Sequence, residues 1–346
     1  MSQLLKRSIR FARRQSVEAK NQLLGKYPDR YGFLDFYNYM NKRPEQKSSL
    51  EQEVGSLSER LFSNNNDKIL VFHLTDRGFY SEINNLLNAA IYCLHNNIGM
   101  VVNSKHFLYK EKAGWDDYFE RFWEDANNAE HTRYFDLHYR QSVELWNRVR
   151  NYNYETVTMP ALDLEGNAFE NKRSIAQLIY RLKPDVQALL DKRIEQFKLP
   201  KTFAACHIRR GDKVGDMPGY PESERIDGSV YLDKVLEDFP DVRTLFVCSD
   251  AYQAVQEISE CIHARGLNIR LVTTCLPDNV GHSTELLKQQ FHRRFDSVMR
   301  LMVDVEVSAR STCFVGTYSS NMSRFVALMH THPQRCFSLD EAWHVR

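Results

Sequence analysis

The run Ala204-Ala205-Cys206-His207-Ile208-Arg209-Arg210-Gly211-Asp212-Lys213-Val214-Gly215-Asp216-Met217 decides the fold. Residues 202–208 are small or apolar and read as a short buried strand. The strand runs into Arg209, Arg210, Gly211, Asp212 and Lys213. A polar, doubly basic tip at the carboxyl end of an apolar strand is where open α/β sheets hold their ligands. Successive side chains of an extended chain point to opposite faces, so two adjacent arginines cannot both enter one pocket. One should face a ligand and the other should be held structurally, with Asp212 its natural internal partner. A ligand-facing guanidinium offers planar, bidentate donors suited to phosphate. Taken alone, Arg-Arg-Gly-Asp fits equally well a buried ion pair at a strand end with no ligand.

Outward from this run, the second half of the chain keeps an α/β rhythm. Helices are expected at 229–239 and 251–265, with strands at 243–248 and 268–273. A long helical region at 283–308 precedes a strand at 312–315 and a last helix at 322–329. Alternating strands and helices imply a parallel, doubly wound sheet. Its strand ends carry polar clusters at 209–213, at Ser249-Asp250 and at Thr317-Tyr318-Ser319-Ser320, which converge on one rim. Asp304 stands in an apolar helical run, where a carboxylate is costly unless paired. Such an acid either caps or pairs within the core, or accepts the N1–H and N2–H₂ donors of guanine. Neither Gly-x-Gly-x-x-Gly nor a Gly-x-x-x-x-Gly-Lys-Ser/Thr loop occurs, which counts against an NAD- or SAM-dependent Rossmann enzyme.

The first half opens in the same way. Residues 68–74 form a buried-strand pattern, 75–80 a polar turn, and Ser81 a helix cap. Leu86, Leu87, Ala90, Ile91 and Leu94 give that helix its apolar face, and 99–102 is the next strand. Trp115, Tyr118, Phe119, Phe122 and Trp123 fall at helical spacing and read first as core. With Asp116 and Asp117 beside them they are also the residue types that bind sugars, the rings stacking and the acids taking hydroxyls. Helices are expected at 139–149 and 175–197, with a domain boundary near Leu199-Pro200. Residues 1–65 read as a helical, basic arm, either a solvated arm on the globular body or an amphipathic helix touching an anionic membrane surface.

With 346 residues the chain is long enough for two cores, and its net charge of +1 argues against a general nucleic-acid binder. No apolar run approaches the roughly 18 residues of a membrane span, and the N-terminus lacks a continuous signal core. Seven cysteines, without a Cys-x-x-Cys pair, suggest neither a zinc site nor a redox motif. Together these point to the cytoplasm, at most at a membrane surface.

Residues 207–215, His-Ile-Arg-Arg-Gly-Asp-Lys-Val-Gly, resemble the His-x-Arg-Arg-x-Asp-Lys-Val-Gly motif of the α1,6-fucosyltransferases, which include the core N-glycan and the nodulation chitooligosaccharide enzymes. Gly78-Phe79-Tyr80-Ser81 is similar to the family's first turn, whose backbone N–H groups reach the donor diphosphate. Here Tyr80 and Glu82 stand where Gly and Gln are expected. Asp304, with Ser320 sixteen residues on, keeps the spacing of the third motif. The resemblance implies that Asp304 recognises guanine and that Arg209 binds the diphosphate, helped by Ser320 and Thr317. His207, Arg210, Asp212, Lys213, Tyr231, Asp250 and Ser319 fall on donor-side positions. At the family's base position stands Met217, with Asp216 just before it and Glu222 and Glu224 in the following insertion. Asp216 is the first candidate for the base, with Glu222 or Glu224 swinging in from the insertion as alternatives.

The implied architecture is α/β, two Rossmann-like domains (GT-B) with a cleft between them, preceded by the helical arm. The expected domains are the arm (1–65), an acceptor-side domain (66–199) and a GDP-sugar domain (200–346). The implied reaction is inverting transfer of fucose from GDP-fucose to a hydroxyl of an oligosaccharide or polysaccharide. The catalytic residues expected are Arg209, Lys213 and Asp216. No metal is implied, because positive side chains take its place and no Asp-x-Asp cluster stands at a strand end. An α1,2-type or other GDP-deoxysugar transferase, and a non-catalytic nucleotide-sugar or glycan-binding module, are the alternatives.

Overall fold

The computed structural model describes residues 68–123, 133–159, 162, 164–214, 223–282 and 294–345. The basic arm, with the membrane contact assigned to it, and the expected base Asp216 lie outside these residues.

In the first half, β1 (Lys68–His73), β2 (Gly99–Asn103) and β3 (Arg133–Leu137) form a parallel sheet in the order β2-β1-β3. α1 (Phe79–His95) links β1 to β2. After β3 come α2 (Val143–Arg150), the antiparallel pair β4 (Thr158–Met159) and β5 (Leu164–Glu165), α3 (Ala168–Ile179) and α4 (Pro184–Glu195).

Three expectations are corrected here. α1 begins at Phe79, so Ser81 lies in its first turn, and Gly78 is the cap residue. The Gly78 carbonyl accepts the Glu82 N–H at 3.0 Å and closes that turn. The single helix expected at 175–197 is two, because Pro184 lacks an N–H and holds Lys183 extended (φ −61°, ψ 148°). The break is used: Lys183 N–H donates to the Tyr118 carbonyl and Glu120 N–H to the Arg181 carbonyl. The aromatic stretch is not an α-helix. Only residues Gly114–Asp117 make a 3₁₀ turn, yet Trp115, Tyr118, Phe119, Phe122 and Trp123 are all buried, as core packing requires.

In the second half, β6 (Ala204–Ile208), β7 (Thr244–Ser249), β8 (Arg270–Thr273), β9 (Cys313–Gly316) and β10 (Cys336–Ser338) are parallel, in the order β10-β9-β6-β7-β8. The first strand of this half is therefore central. Strand order reverses between β6 and β9, the place where open α/β sheets leave a crevice at their carboxyl rim. The helices are α5 (Gly228–Asp238), α6 (Tyr252–Ala264), α7 (Arg294–Ala309) and α8 (Asn321–Met329).

The inner strands β6, β7 and β9 are buried along their whole length because both faces of the sheet are covered there. Ala204, Cys206, Ile208, Leu245, Val247, Cys313 and Val315 pack against α5 and α6. Ala205, Phe246, Cys248 and Phe314 face the core built with α7 and α8. That second core is continuous with the core of the first half. Tyr80 of α1 stacks on Phe325 of α8, ring centroids 5.0 Å apart. Its hydroxyl meets that of Tyr180 at 3.0 Å and donates to the Leu301 carbonyl of α7 at 3.3 Å. Residues 343–345 return across the first half: Trp343 packs on Phe169, and Nζ of the buried Lys172 donates to the Val345 carbonyl at 3.0 Å.

Tyr80→Phe keeps the stack and removes the hydroxyl that ties α1 to α7. The expected cost is about 1 kcal/mol, read as a lower urea midpoint with an unchanged denaturant slope. An unchanged midpoint would mean that the stacked rings alone hold the halves together.

Candidate functional site

The tip of β6 is organised by Asp250, which follows β7. Its Oδ1 accepts the Arg210 N–H at 2.8 Å, and its Oδ2 accepts the His282 N–H at 2.9 Å and the Arg209 guanidinium. Burial opposes ionisation of Asp250, but Arg209 and the two amides outweigh it and hold the carboxyl below the usual range. Gly211 turns through this knot at φ +69°. A Cβ there would lie 2.9 Å from the His282 amide nitrogen and 3.0 Å from Asp250 Oδ2, so both the backbone and the space demand glycine.

The two arginines divide as alternation requires. Arg210 is 1% exposed and its Nη2 donates to Glu257 Oε2 of α6 at 2.6 Å. The partner found is thus a helix residue, where the sequence pointed to Asp212, whose side chain lies outside the described set. Arg209 stays partly open, its side chain 15% exposed beside Asp250. His207 points to the face opposite Arg210, where its Nδ1 shares a 2.7 Å hydrogen bond with Ser323 Oγ of α8. Burial, reinforced by the Arg209 charge, pushes the His207 pKa down to about 4, so the ring is neutral.

Across the switch point, residues 317–320 lead from β9 into α8. Thr317 is buried, and Ser319 and Ser320 are half-buried. Ser320 caps α8 without a side-chain hydrogen bond of its own to the helix. The Tyr318 and Ser319 amides are taken by the Asp340 carboxylate, at 2.8 and 3.3 Å. Tyr231 is buried under this turn against Thr317, so its influence on a ligand would pass through Thr317. Lys213 is half-buried, and its carbonyl accepts the Ser223 N–H at 3.1 Å.

The start of α1 meets the start of α8. Asn84 Nδ2 donates to the Asn321 carbonyl at 2.9 Å and to the Tyr80 carbonyl at 2.9 Å. Two helix N-termini, each with the positive end of its dipole, therefore converge beside the β6 tip. The Phe79 and Tyr80 side chains are not part of a ligand surface. Both are buried in packing, which leaves the Gly78 turn to contribute only its backbone.

Asp304 lies on the same rim, toward β8. It is 5% exposed, and its Oδ1 accepts the Thr274 hydroxyl at 2.5 Å. Burial raises its pKa to about 7, although Thr274, the Arg300 charge and the Cys248 thiol favour the ionised form. Three strand spacings, roughly 14 Å, separate β9 from β8. A nucleotide laid along the rim would put its phosphates at β6–β9 and its base at Asp304.

The expected acceptor acids have other occupations. Asp117 accepts four backbone N–H groups, from Glu111, Lys112, Ala113 and Gly114, which hold its carboxyl below the usual range against burial. Asp116 pairs with Arg121 at 2.5 Å. The sequence reading missed Glu257, Ser323, Thr274 and Asp340. A carboxylate on the packed helix 252–264 was a visible signal for Glu257, but partners this far along the chain have no local signature.

No family model matches the chain, and no curated protein matches it in sequence. Solved structures do resemble it. NodZ α1,6-fucosyltransferase of Bradyrhizobium, soaked with GDP-fucose, is 14% identical at a TM-score of 0.44, over 76% of this chain and 92% of that one. POFUT1 in complex with GDP-fucose is 12% identical at a TM-score of 0.46, over 80% and 98%. A mutant Arabidopsis thaliana FUT1 in complex with GDP is 10% identical at a TM-score of 0.44, over 86% and 76%.

Gly211→Ala would force a left-handed backbone on alanine and push its methyl into the His282 backbone. The expected loss is about 1–3 kcal/mol, read by thermal unfolding. Full native stability would show that the turn relaxes without Asp250.

Proposed function

We propose that the protein binds a GDP-sugar along the carboxyl rim of its second sheet and transfers the sugar, fucose by the motif resemblance, to a hydroxyl of a glycan. The observation that carries this reading is the meeting of the N-termini of α1 and α8 at the switch point, with Arg209 at the adjoining tip of β6 and Asp304 further along the same rim. Cationic and N–H donors gathered at one point suit a diphosphate. An ionised carboxylate further along the rim suits the paired donors of guanine. UDP offers no such pair.

In the displacement, the acceptor oxygen attacks the anomeric carbon as the bond to the β-phosphate oxygen breaks, which inverts the centre. Negative charge grows on the leaving GDP. Arg209 and the helix N-termini, already aimed by Asp250 and Asn84, stabilise that charge without reorganising. Among the described residues no group of three or more His, Cys, Asp or Glu is placed to hold a metal ion. The reading assigns the offsetting positive charge to Arg209 and Lys213.

Calorimetry is expected to show GDP and GDP-fucose binding and UDP silent, with Arg209→Ala weakening GDP by about 10- to 100-fold. Native GDP affinity in that variant would remove Arg209 from the phosphate site. Guanine needs ionised Asp304, whose pKa is about 7 in the free protein. GDP-fucose, whose diphosphate is a diester with no proton to lose in this range, should therefore bind more tightly at pH 8 than at pH 6, and Asp304→Asn should bind it weakly with no such rise. A slope that survives in the variant would place guanine elsewhere.

A further inference from the structure

The first sheet also has a carboxyl rim, on the side from which α1 starts. β1 ends at His73, and Asp136 of β3 pairs in register with Val71 of β1. His73 and Asp136 therefore share one face as diagonal neighbours. His73 Nε2 meets Asp136 Oδ1 at 2.6 Å, the two side chains 17% and 34% exposed. The pair is reachable from solvent, and no described residue bonds His73 Nδ1. Around it stand planar groups. The His138 ring is 5.9 Å from that of His73 and stacks on Tyr139 at 5.5 Å and 7°. Trp146 lies 6.1 Å beyond Tyr139. Burial first, with the Arg140 charge adding to it, pushes the His138 pKa down to about 4, so this ring is a neutral neighbour.

The other acids near this rim are occupied. Asp76 takes the Tyr139 hydroxyl at 3.1 Å and Arg140 at 3.1 Å. Glu82 is buried against Thr75, its pKa raised by burial to about 7. An imidazole oriented by a carboxylate is a general base, and flat rings flanked by charged groups suit the apolar face and hydroxyls of a sugar.

Resting on the donor reading above, we propose that this rim is the acceptor site for a saccharide, with His73 the base and Asp136 its positioning residue. The acceptor hydroxyl passes its proton to His73 Nδ1 as its oxygen bonds the anomeric carbon. The bond from that carbon to the β-phosphate oxygen breaks, and its electron pair leaves with GDP. His73 ends as imidazolium beside Asp136 and returns its proton to water. The Arg77 guanidinium lies over the Tyr139 and Trp146 rings, 5.0 and 5.1 Å from their centroids, so the sugar meets ring edges and that cation rather than an open ring face.

The test follows GDP release from saturating GDP-fucose, with water as acceptor and again with chitotetraose, alongside GDP calorimetry. His73→Ala is expected to lower kcat at least 50-fold, and Asp136→Asn about 10-fold. GDP affinity and the KM for GDP-fucose should stay native in both, which a role in folding alone would not spare. Turnover within threefold of wild type in His73→Ala overturns the proposal. So does a wild-type chain that binds GDP yet releases none from the donor with either acceptor. A wild-type chain that does not bind GDP overturns the donor reading itself, and this one with it.

Discussion

The carboxylate of Asp250 is the constraint on which the second half depends. One side chain ties the ends of β6 and β7 to the loop at His282 by accepting two backbone amides and a guanidinium. A single buried carboxylate is unfavourable, and three charge-assisted donors reverse that balance. The arrangement has two consequences. Residue 211 must be glycine, because the knot closes around it. Arg209 stays aimed, because its carboxylate partner is built into the end of the sheet. A ligand phosphate would meet a guanidinium whose orientation was settled during folding, which is what preorganisation means here.

The second constraint is α8, which belongs to the second half by chain order and to both halves by packing. Its start holds Ser323 against His207 and Asn321 against Asn84, and its second turn stacks Phe325 on Tyr80. A core continuous between the sheets makes the relation of their rims a matter of side-chain packing rather than of a linker. Elements that rigid can hold donors from different halves on one ligand. The chain end adds to this, since Lys172 and Asn88 both donate to the Val345 carbonyl. The buried Lys172 amine has its pKa pushed well below the usual lysine range by burial, with the Arg324 charge adding to it.

Much of the second sheet was legible because its strands are covered on both faces and so read as unbroken apolar runs ending in polar tips. β6, β7, β8 and β9 all stand within two residues of their expected bounds. β10 has three residues, too few to show a period, and its register is supplied by β9. The aromatic stretch 115–123 misled on shape, because rings spaced three and four apart can be buried by an irregular chain as readily as by a helix. There the four amides gathered on Asp117 hold the loop open. Pro184 was a visible helix breaker, overridden in the reading by apolar spacing that runs through it. What stayed out of reach were partners fixed by tertiary placement. Arg210 could have met either Asp212 or a distant acid, and only the position of α6 on the sheet selects Glu257.

The buried acids Asp304 and Glu82 show why a strained electrostatic position is informative. Each has its pKa raised to about 7 by burial, although each has a hydroxyl partner that favours the ion. Glu82 takes both the hydroxyl and the amide of Thr75, so its two oxygens serve the turn between β1 and α1. That is a complete structural account. Asp304 has its hydroxyl bond from Thr274 on Oδ1, and Arg300 acts on it only at longer range. A carboxyl held half-ionised near neutrality gains most from a ligand that brings two N–H donors at once. Each donor favours the charge that burial opposes, and the pair together can tip it fully to the ion. The same burial works against ligands that lack such donors, since they would cover the acid without pairing it. Under the GDP-sugar proposal, the acid is cheap to keep neutral while the site is open and is drawn to the anion by guanine's donor edge.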